Sequence, residues 1–173
     1  MQNRLNDLLL QPWIGKDNYL KILKARPDYI EPLLEICKSD LNPQAWRAAW
    51  LLRHTLEQND HRLIGHLDDI ASVLGSKADG HQRELLLLFE KSELNQRLSG
   101  IMFDESSRIW QAVGKKPSTR ITAFKSMVRI AKRYPELKQE LSLLSTAHYT
   151  DTLSPGIKNM LLRIIRDAEG MNP

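Results

Sequence analysis

Tyr29-Ile30-Glu31-Pro32-Leu33-Leu34-Glu35-Ile36-Cys37 and, beyond Asp40-Leu41-Asn42-Pro43, Gln44-Ala45-Trp46-Arg47-Ala48-Ala49-Trp50-Leu51-Leu52-Arg53 decide the architecture of this chain. Leu33, Leu34 and Cys37 in the first segment, and Ala48, Leu51, Leu52, Thr55 and Leu56 in the second, recur at spacings of three and four. That period gathers apolar side chains on one face of a helix. The intervening turn carries Asp40, Asn42 and Pro43. Proline suits a first helical turn, where its missing amide hydrogen would be unsatisfied anyway, and Asn and Asp accept bonds from the free amides there. The stretch therefore reads as two helices joined by a short turn, which makes them antiparallel neighbours.

Working outward, the same period runs along almost the whole chain, and the alternation of a strand is nearly absent. Short separators of helix-end chemistry, such as Arg26-Pro27-Asp28, Asn59-Asp60, Ala78-Asp79-Gly80, Lys116-Pro117-Ser118, Tyr134-Pro135-Glu136 and Leu153-Ser154-Pro155, divide it into about ten helices. They are expected near residues 3–10, 17–25, 28–38, 43–57, 61–75, 80–92, 95–113, 118–134, 136–148 and 155–168. A break in the long one is expected at Phe103-Asp104-Glu105, where the apolar period lapses.

The helix pairs repeat. Arg47, Arg83, Arg120 and Lys158, each in the first turn of alternate helices, are separated by 36, 37 and 38 residues. A second register, Leu51-Leu52-Arg53, Leu87-Leu88-Phe89, Met127-Val128-Arg129 and Leu161-Leu162-Arg163, is separated by 36, 40 and 34. Self-similarity near this period marks stacked helix pairs, each burying its apolar face on the next. The expected fold is all-α, an α-α superhelix of about four to five helix pairs, with Leu52, Leu88, Val128 and Leu162 buried at equivalent positions.

Tyr29 to Ile36, Asp40, and then Asn42-Pro43-Gln44-Ala45-Trp46-Arg47-Ala48-Ala49 resemble one HEAT repeat, an armadillo-type helical unit: a first helix, an Asp at the turn, and a second helix opening with an apolar residue, Arg and small residues. The whole chain resembles small bacterial HEAT-like proteins through Arg47-Ala48-Ala49-Trp50, Tyr134-Pro135-Glu136-Leu137 and Ser154-Pro155-Gly156. The resemblance implies a solenoid with an interaction role and is specific for fold rather than activity. It departs from the pattern at Asp79-Gly80-His81-Gln82-Arg83, with no small residues after the Arg, and at Lys158 in place of Arg. The expected organisation is a single repeat domain over 1–173: an N-terminal capping pair over 1–27, three full and one partial repeats over 28–153, and a C-terminal capping helix over 154–173.

With 173 residues, 42 % hydrophobic and 27 % charged, the chain has the composition of one ordinary globular domain. Its mean hydropathy of −0.41 argues against an integral membrane protein. A lone cysteine, Cys37, and the absence of a signal-type apolar run at the start point to a reducing cytoplasm. Charge is uneven. Residues 1–75 hold 9 Lys/Arg against 10 Asp/Glu, whereas residues 76–173 hold 16 against 11. Between Arg108 and Lys138 nine basic residues face one acid, Glu136. Such a run is either a solvated helix face or a surface for an anionic partner.

The second helix of each pair lines the concave side of HEAT-like arrays, so its less apolar face holds the candidate site. On residues 43–57 the helical wheel buries Ala48, Ala49, Leu51, Leu52 and Leu56 and leaves Trp46, Trp50, Arg53 and Glu57 opposite. Carried to the other repeats, this stripe becomes Gln82, Leu86, Phe89 and Glu93; Thr122, Ser126, Arg129 and Arg133; and Gly156, Met160, Arg163 and Asp167. The expected site is a basic trough of Arg53, Lys125, Arg129, Lys132, Arg133 and Arg163 with an aromatic end at Trp46 and Trp50. Arginine forks suit phosphates and carboxylates, and tryptophan offers stacking area. The alternative is that the tryptophans pack between repeats and the arginines pair with Glu57, Glu93 and Asp167.

Catalytic signals are poor. His61-x-x-x-x-His66 lacks metal-ligand spacing, and His81-x-x-Glu84 has no partner motif, so both are expected to be solvated. Gly114-Lys115-Lys116-Pro117-Ser118-Thr119 lacks the upstream glycine of a phosphate loop. Cys37 sits on an apolar face as an inert thiol. The expected function is a non-catalytic scaffold with no metal or cofactor, binding a protein or peptide on its concave face. Nucleic acid is the alternative partner, in the manner of HEAT-like DNA glycosylases, although Asp68 and Asp69 fall on a first-type helix.

Overall fold

The computed structural model describes the backbone of residues 2–169, and all regular elements among them are helical. The chain divides into two compact units, Met1–Glu93 and Leu94–Pro173.

The first unit holds α1 (Gln2–Leu10), α2 (Lys16–Ala25), a 3-10 turn (Pro27–Tyr29), α3 (Ile30–Lys38), α4 (Gln44–Thr55), α5 (His61–Ile64), α6 (Leu67–Leu74) and α7 (Asp79–Phe89). Helix α4 is its centre, packed against α1, α2, α3 and α7. Ala45, Ala48, Ala49 and Leu52 have no exposed surface, so α4 puts little bulk between itself and its neighbours. The segment expected as one helix over 61–75 is two, parted at Gly65-His66. Asp60 opens α5 by accepting from the Arg62 amide at 3.0 Å. Beside it Asn59 adopts a left-handed φ of 57°, which asparagine tolerates. Its amide donates to Lys91 O at 2.7 Å and its Oδ1 accepts from the Glu93 amide at 2.8 Å, tying two loops together.

Side chains reaching across one repeat close the seams between pairs. Arg47 Nη1 donates to Leu9 O at 2.6 Å and Gln11 O at 2.8 Å. Lys77 Nζ donates to Ser39 O at 3.0 Å and Asp40 Oδ1 at 2.5 Å. His81 Nε2 donates to Cys37 O at 2.8 Å. These acceptors lie at or just beyond helix C-termini, where main-chain carbonyls lack helical partners. The expectation that His81 and Glu84 are solvated is therefore corrected: both are buried, at 3 % and 4 % exposure. Helix α7 packs against both α4 and α6, so even its polar positions are enclosed. Cys37 is buried beneath the same seam, and desolvation pushes its thiol up to about 12, consistent with an inert side chain.

The second unit holds α8 (Gln96–Gln111), α9 (Pro117–Arg133), a 3-10 turn (Pro135–Leu137), α10 (Lys138–Leu144), α11 (Ala147–Thr150) and α12 (Pro155–Glu169). Helix α8 runs without the break expected at residues 103–105. The apolar period lapses there because Ser99, Ser106 and Ser107 occupy buried positions that the sequence pattern counts as polar. The segment expected as one helix over 136–148 divides after Leu144, where Ser145 Oγ donates to Leu141 O at 2.7 Å.

Arg120, 1 % exposed, organises this unit. Its Nε donates to Trp110 O at 2.8 Å, Nη1 to Thr152 Oγ1 at 3.0 Å and Nη2 to Tyr149 O at 2.5 Å, while the guanidinium lies 4.7 Å from the Trp110 ring. Trp110 Nε1 donates to Leu144 O at 2.8 Å, so one buried ring and one buried cation join α8, α9, α10 and the α11 loop. Leu52, Leu88 and Val128 are buried as expected, but Leu162 is 53 % exposed. Leu161 takes the buried place, because α12 turns one face to α9 in a register one residue off the transferred repeat.

Two expectations follow from these seams. Arg120→Ala orphans two buried carbonyls and should lower stability by about 3 kcal/mol in urea denaturation. Arg120→Lys should recover little of it, since one ammonium lacks the planar fork that serves three acceptors. Desolvation lowers the His81 pKa below its ordinary 6.5, outweighing the hydrogen bond to Cys37 O. The unfolded chain then binds the proton first, so the stability His81 contributes is complete above about pH 6.5 and is lost as pH falls towards its folded value. The slope is at most about 1.4 kcal/mol per pH unit. His54, also lowered by burial, acts in the same direction. His81→Gln should flatten, without abolishing, the fall in unfolding midpoint between about pH 7 and pH 5.

Candidate functional site

On α4 the wheel reading holds. Ala48, Ala49, Leu51, Leu52 and Leu56 are buried, while Trp46, Trp50 and Arg53 are half-buried and Glu57 is exposed. The tryptophans do not stand alone. Trp13, 53 % exposed in the α1–α2 loop, meets the Trp50 ring edge-on at 4.8 Å and the Tyr19 ring at 5.1 Å. His54 lies against Trp50 at 4.1 Å, its Nδ1 donating to Trp50 O at 2.8 Å. Trp46 lies beside the same cluster, with the Arg47 guanidinium 5.9 Å from its ring. The result is an aromatic shelf, part core and part surface. Trp13 escaped the periodic reading because it lies in a loop, where its position after Gln11-Pro12 was the available signal.

The stripe transferred to α7 is corrected. Gln82, Leu86 and Phe89 are all buried, with Gln82 Nε2 donating to Leu74 O at 3.0 Å. Glu84, not Glu57 or Glu93, is the partner of Arg53, at 2.8 Å, and it also takes Arg83 at 2.7 Å. One nearly enclosed carboxylate thus sits between two arginines, and Arg53 is committed to an internal contact. A separate cleft of about 360 Å³ between α2 and the C-terminal end of α4 has Lys24, His54, Glu57 and Arg62 on an apolar base of Leu20, Leu23 and Ile30. Arg62 is held there by Asp60 at 2.7 Å.

In the second unit Lys125, Arg129 and Lys132 line a groove of about 250 Å³ between α9 and α12, with Val128 and Ile164 as its floor and Asp167 on its edge. The spacing is the helical one: residues 125, 129 and 132 share a face of α9. Arg163 is exposed on α12 outside this lining. Arg133, although exposed, donates to Leu94 O at 3.1 Å. Of the eight expected site residues, the structure therefore brings together Lys125, Arg129 and Lys132 in one groove and Trp46 and Trp50 on one shelf. Arg53 and Arg133 serve internal bonds.

The family model described as HEAT repeat domain matches residues 4–168, nearly the whole chain and all of the helix pairs described above. The chain belongs to the HEAT repeat family. No curated protein and no solved structure matches it. HEAT repeats typically serve as interaction scaffolds rather than catalysts. Among the described residues no cluster of three or more His, Cys, Asp and Glu is placed to hold a metal ion. No helix among them is long and apolar enough to cross a membrane. Asp69 is paired with Lys38 at 3.0 Å on the surface of the first HEAT unit.

The half-buried state of the shelf sets a graded cost. Trp50→Ala should lower stability by about 2 kcal/mol, less than a fully buried aromatic, and Trp13→Ala by under about 1 kcal/mol. Urea unfolding followed by circular dichroism checks both.

Proposed function

We propose that this chain is a non-catalytic interaction module that holds a protein or peptide segment on the faces of its second-type helices. The observation that carries this reading is the α9–α12 groove, where Lys125 and Lys132 stand opposite Asp167 over an apolar floor. Cations, a carboxylate and aliphatic side chains together suit a polypeptide, which offers all three complements. A phosphate backbone offers one charge only, and Asp167 would repel it. The Trp13–Trp50 shelf supplies a second surface of the kind enriched at interfaces. A buried thiol with no second cysteine suits a reducing cytoplasm, where we place the protein.

The test is capture from native extract on the immobilised chain, with and without nuclease, beside a Lys125→Glu/Lys132→Glu variant. Polypeptides that persist through nuclease treatment and are lost with the charge reversal are the expected result. Capture that disappears with nuclease alone would assign the groove to nucleic acid.

A further inference from the structure

Beside the basic groove, and meeting it at Val128, a hollow of about 120 Å³ opens among α9, α10 and α12. Its walls are Phe124, Val128, Leu141 and Ile165. Ser145 offers the hollow no donor, because its hydroxyl hydrogen is spent on Leu141 O. A cavity of roughly 150 Å³ with such walls accepts a benzene ring, so this one is the size of a single leucine, methionine or phenylalanine side chain. Exposed Lys138 and Ser142 stand at its margin.

The charge around the hollow is unmatched in a particular way. Of the nine basic residues between Arg108 and Lys138, Arg108 pairs with Glu105, Arg120 is buried on carbonyls and Arg133 is bonded to Leu94 O. Lys125, Lys132 and Lys138 make no ion pair and no side-chain hydrogen bond among the described residues. These three line the groove and the hollow. Lys125 and Lys132 are seven residues apart on α9, or roughly 10 Å, the spacing of carboxylates two turns apart on a facing helix.

We propose that the second unit docks an acidic amphipathic segment of a partner protein, seating one apolar side chain in the Phe124–Ile165 hollow and setting carboxylates on Lys125, Lys132 and Lys138. This rests on the reading of the chain as a protein-interaction module and names the chemistry of the partner. The hollow supplies depth and an anchor, and the lysines supply sign and register. Asp167 accepts a backbone amide or a basic side chain of the same segment.

Fluorescence anisotropy on the full chain tests it. The probes are a labelled 14-residue helical peptide carrying glutamates about one central leucine, the same peptide with that leucine replaced by serine, a lysine-for-glutamate counterpart, and a 14-nucleotide single-stranded DNA. The acidic leucine peptide should bind best, and leucine to serine should weaken it roughly ten- to a hundredfold. Ser142→Phe, at an exposed position that fills the hollow from its margin, should reproduce that loss. Lys125→Glu/Lys132→Glu/Lys138→Glu should abolish binding and favour the basic peptide. Both variants must keep the helical spectrum of the parent, and Ser142→Ala, which leaves the hollow open, should bind as the parent does. Equal binding of the leucine and serine peptides, or none of either, overturns the anchored-segment proposal while leaving a protein partner elsewhere on the module. Tighter binding of the DNA, lost with the three lysines, overturns both. Self-association that vanishes with Ser142→Phe overturns the proposal in favour of a second copy as the occupant.

Discussion

The structure depends on side-chain donors satisfying main-chain carbonyls at neighbouring turns, most of them in another helix pair. Apolar burial is non-directional and would let stacked helices slide or rotate with little change in area. A charged donor seated on fixed carbonyls does not permit that. Arg47 on Leu9 O and Gln11 O, Lys77 on Ser39 O, His81 on Cys37 O, and Arg120 on Trp110 O and Tyr149 O each fix the angle at which one element meets the next. Each also answers an orphaned carbonyl that a buried helix end would otherwise leave unpaired. The inert thiol of Cys37 and the depressed imidazole of His81 follow from the dryness that such a seam creates.

Much of this was legible in the sequence for a mechanical reason. A helix start facing the carbonyls of nearby turns recurs at the length of the repeat, so Arg47 and Arg120 share a repeat spacing although Arg47 reaches back to Leu9 and Gln11 and Arg120 reaches Trp110 and, forward, Tyr149. The same spacing misled at Arg83 and Lys158. Arg83 binds Glu84, and the bonds to the Cys37–Asp40 turn come from Lys77 and His81, a few residues earlier. Lys158 has Asp151 at 3.6 Å and is half-exposed. Periodicity also cannot see a buried serine, which is why α8 looked broken at Phe103, nor a one-residue change of register, which turned Leu162 outward and Leu161 inward.

The candidate surface was less legible than the fold, and the difference is one of context. A helical wheel separates two faces, and on α4 that suffices to part the buried alanines and leucines from the half-buried Trp46, Trp50 and Arg53. On α7 the second face is enclosed too, so Gln82, Leu86 and Phe89 vanish into the interior. The sequence has no sign for that, since enclosure is decided by neighbours distant along the chain. Nor does it reveal which cations are already spent. Arg53, Arg133 and Lys132 look alike in composition, and the first two are held by Glu84 and Leu94 O. Trp13 and the hollow beside Val128 depend on elements meeting from different parts of the chain and leave no periodic trace.

The acceptors in these seams are nearly all peptide oxygens, which every amino acid supplies. An ion pair between repeats would need two residues to change in step, whereas a cation on a carbonyl constrains only the donor. The turn that receives Arg47 reads Leu9-Leu10-Gln11 and the one that receives Arg120 includes Tyr149, with no shared motif between them. Copies of such a unit are free to drift apart in sequence at the receiving turn while keeping a cation on a carbonyl. Faint internal self-similarity in this chain is then a property of how the joints are made, and the turns are the places where new side chains could be introduced at the least structural cost.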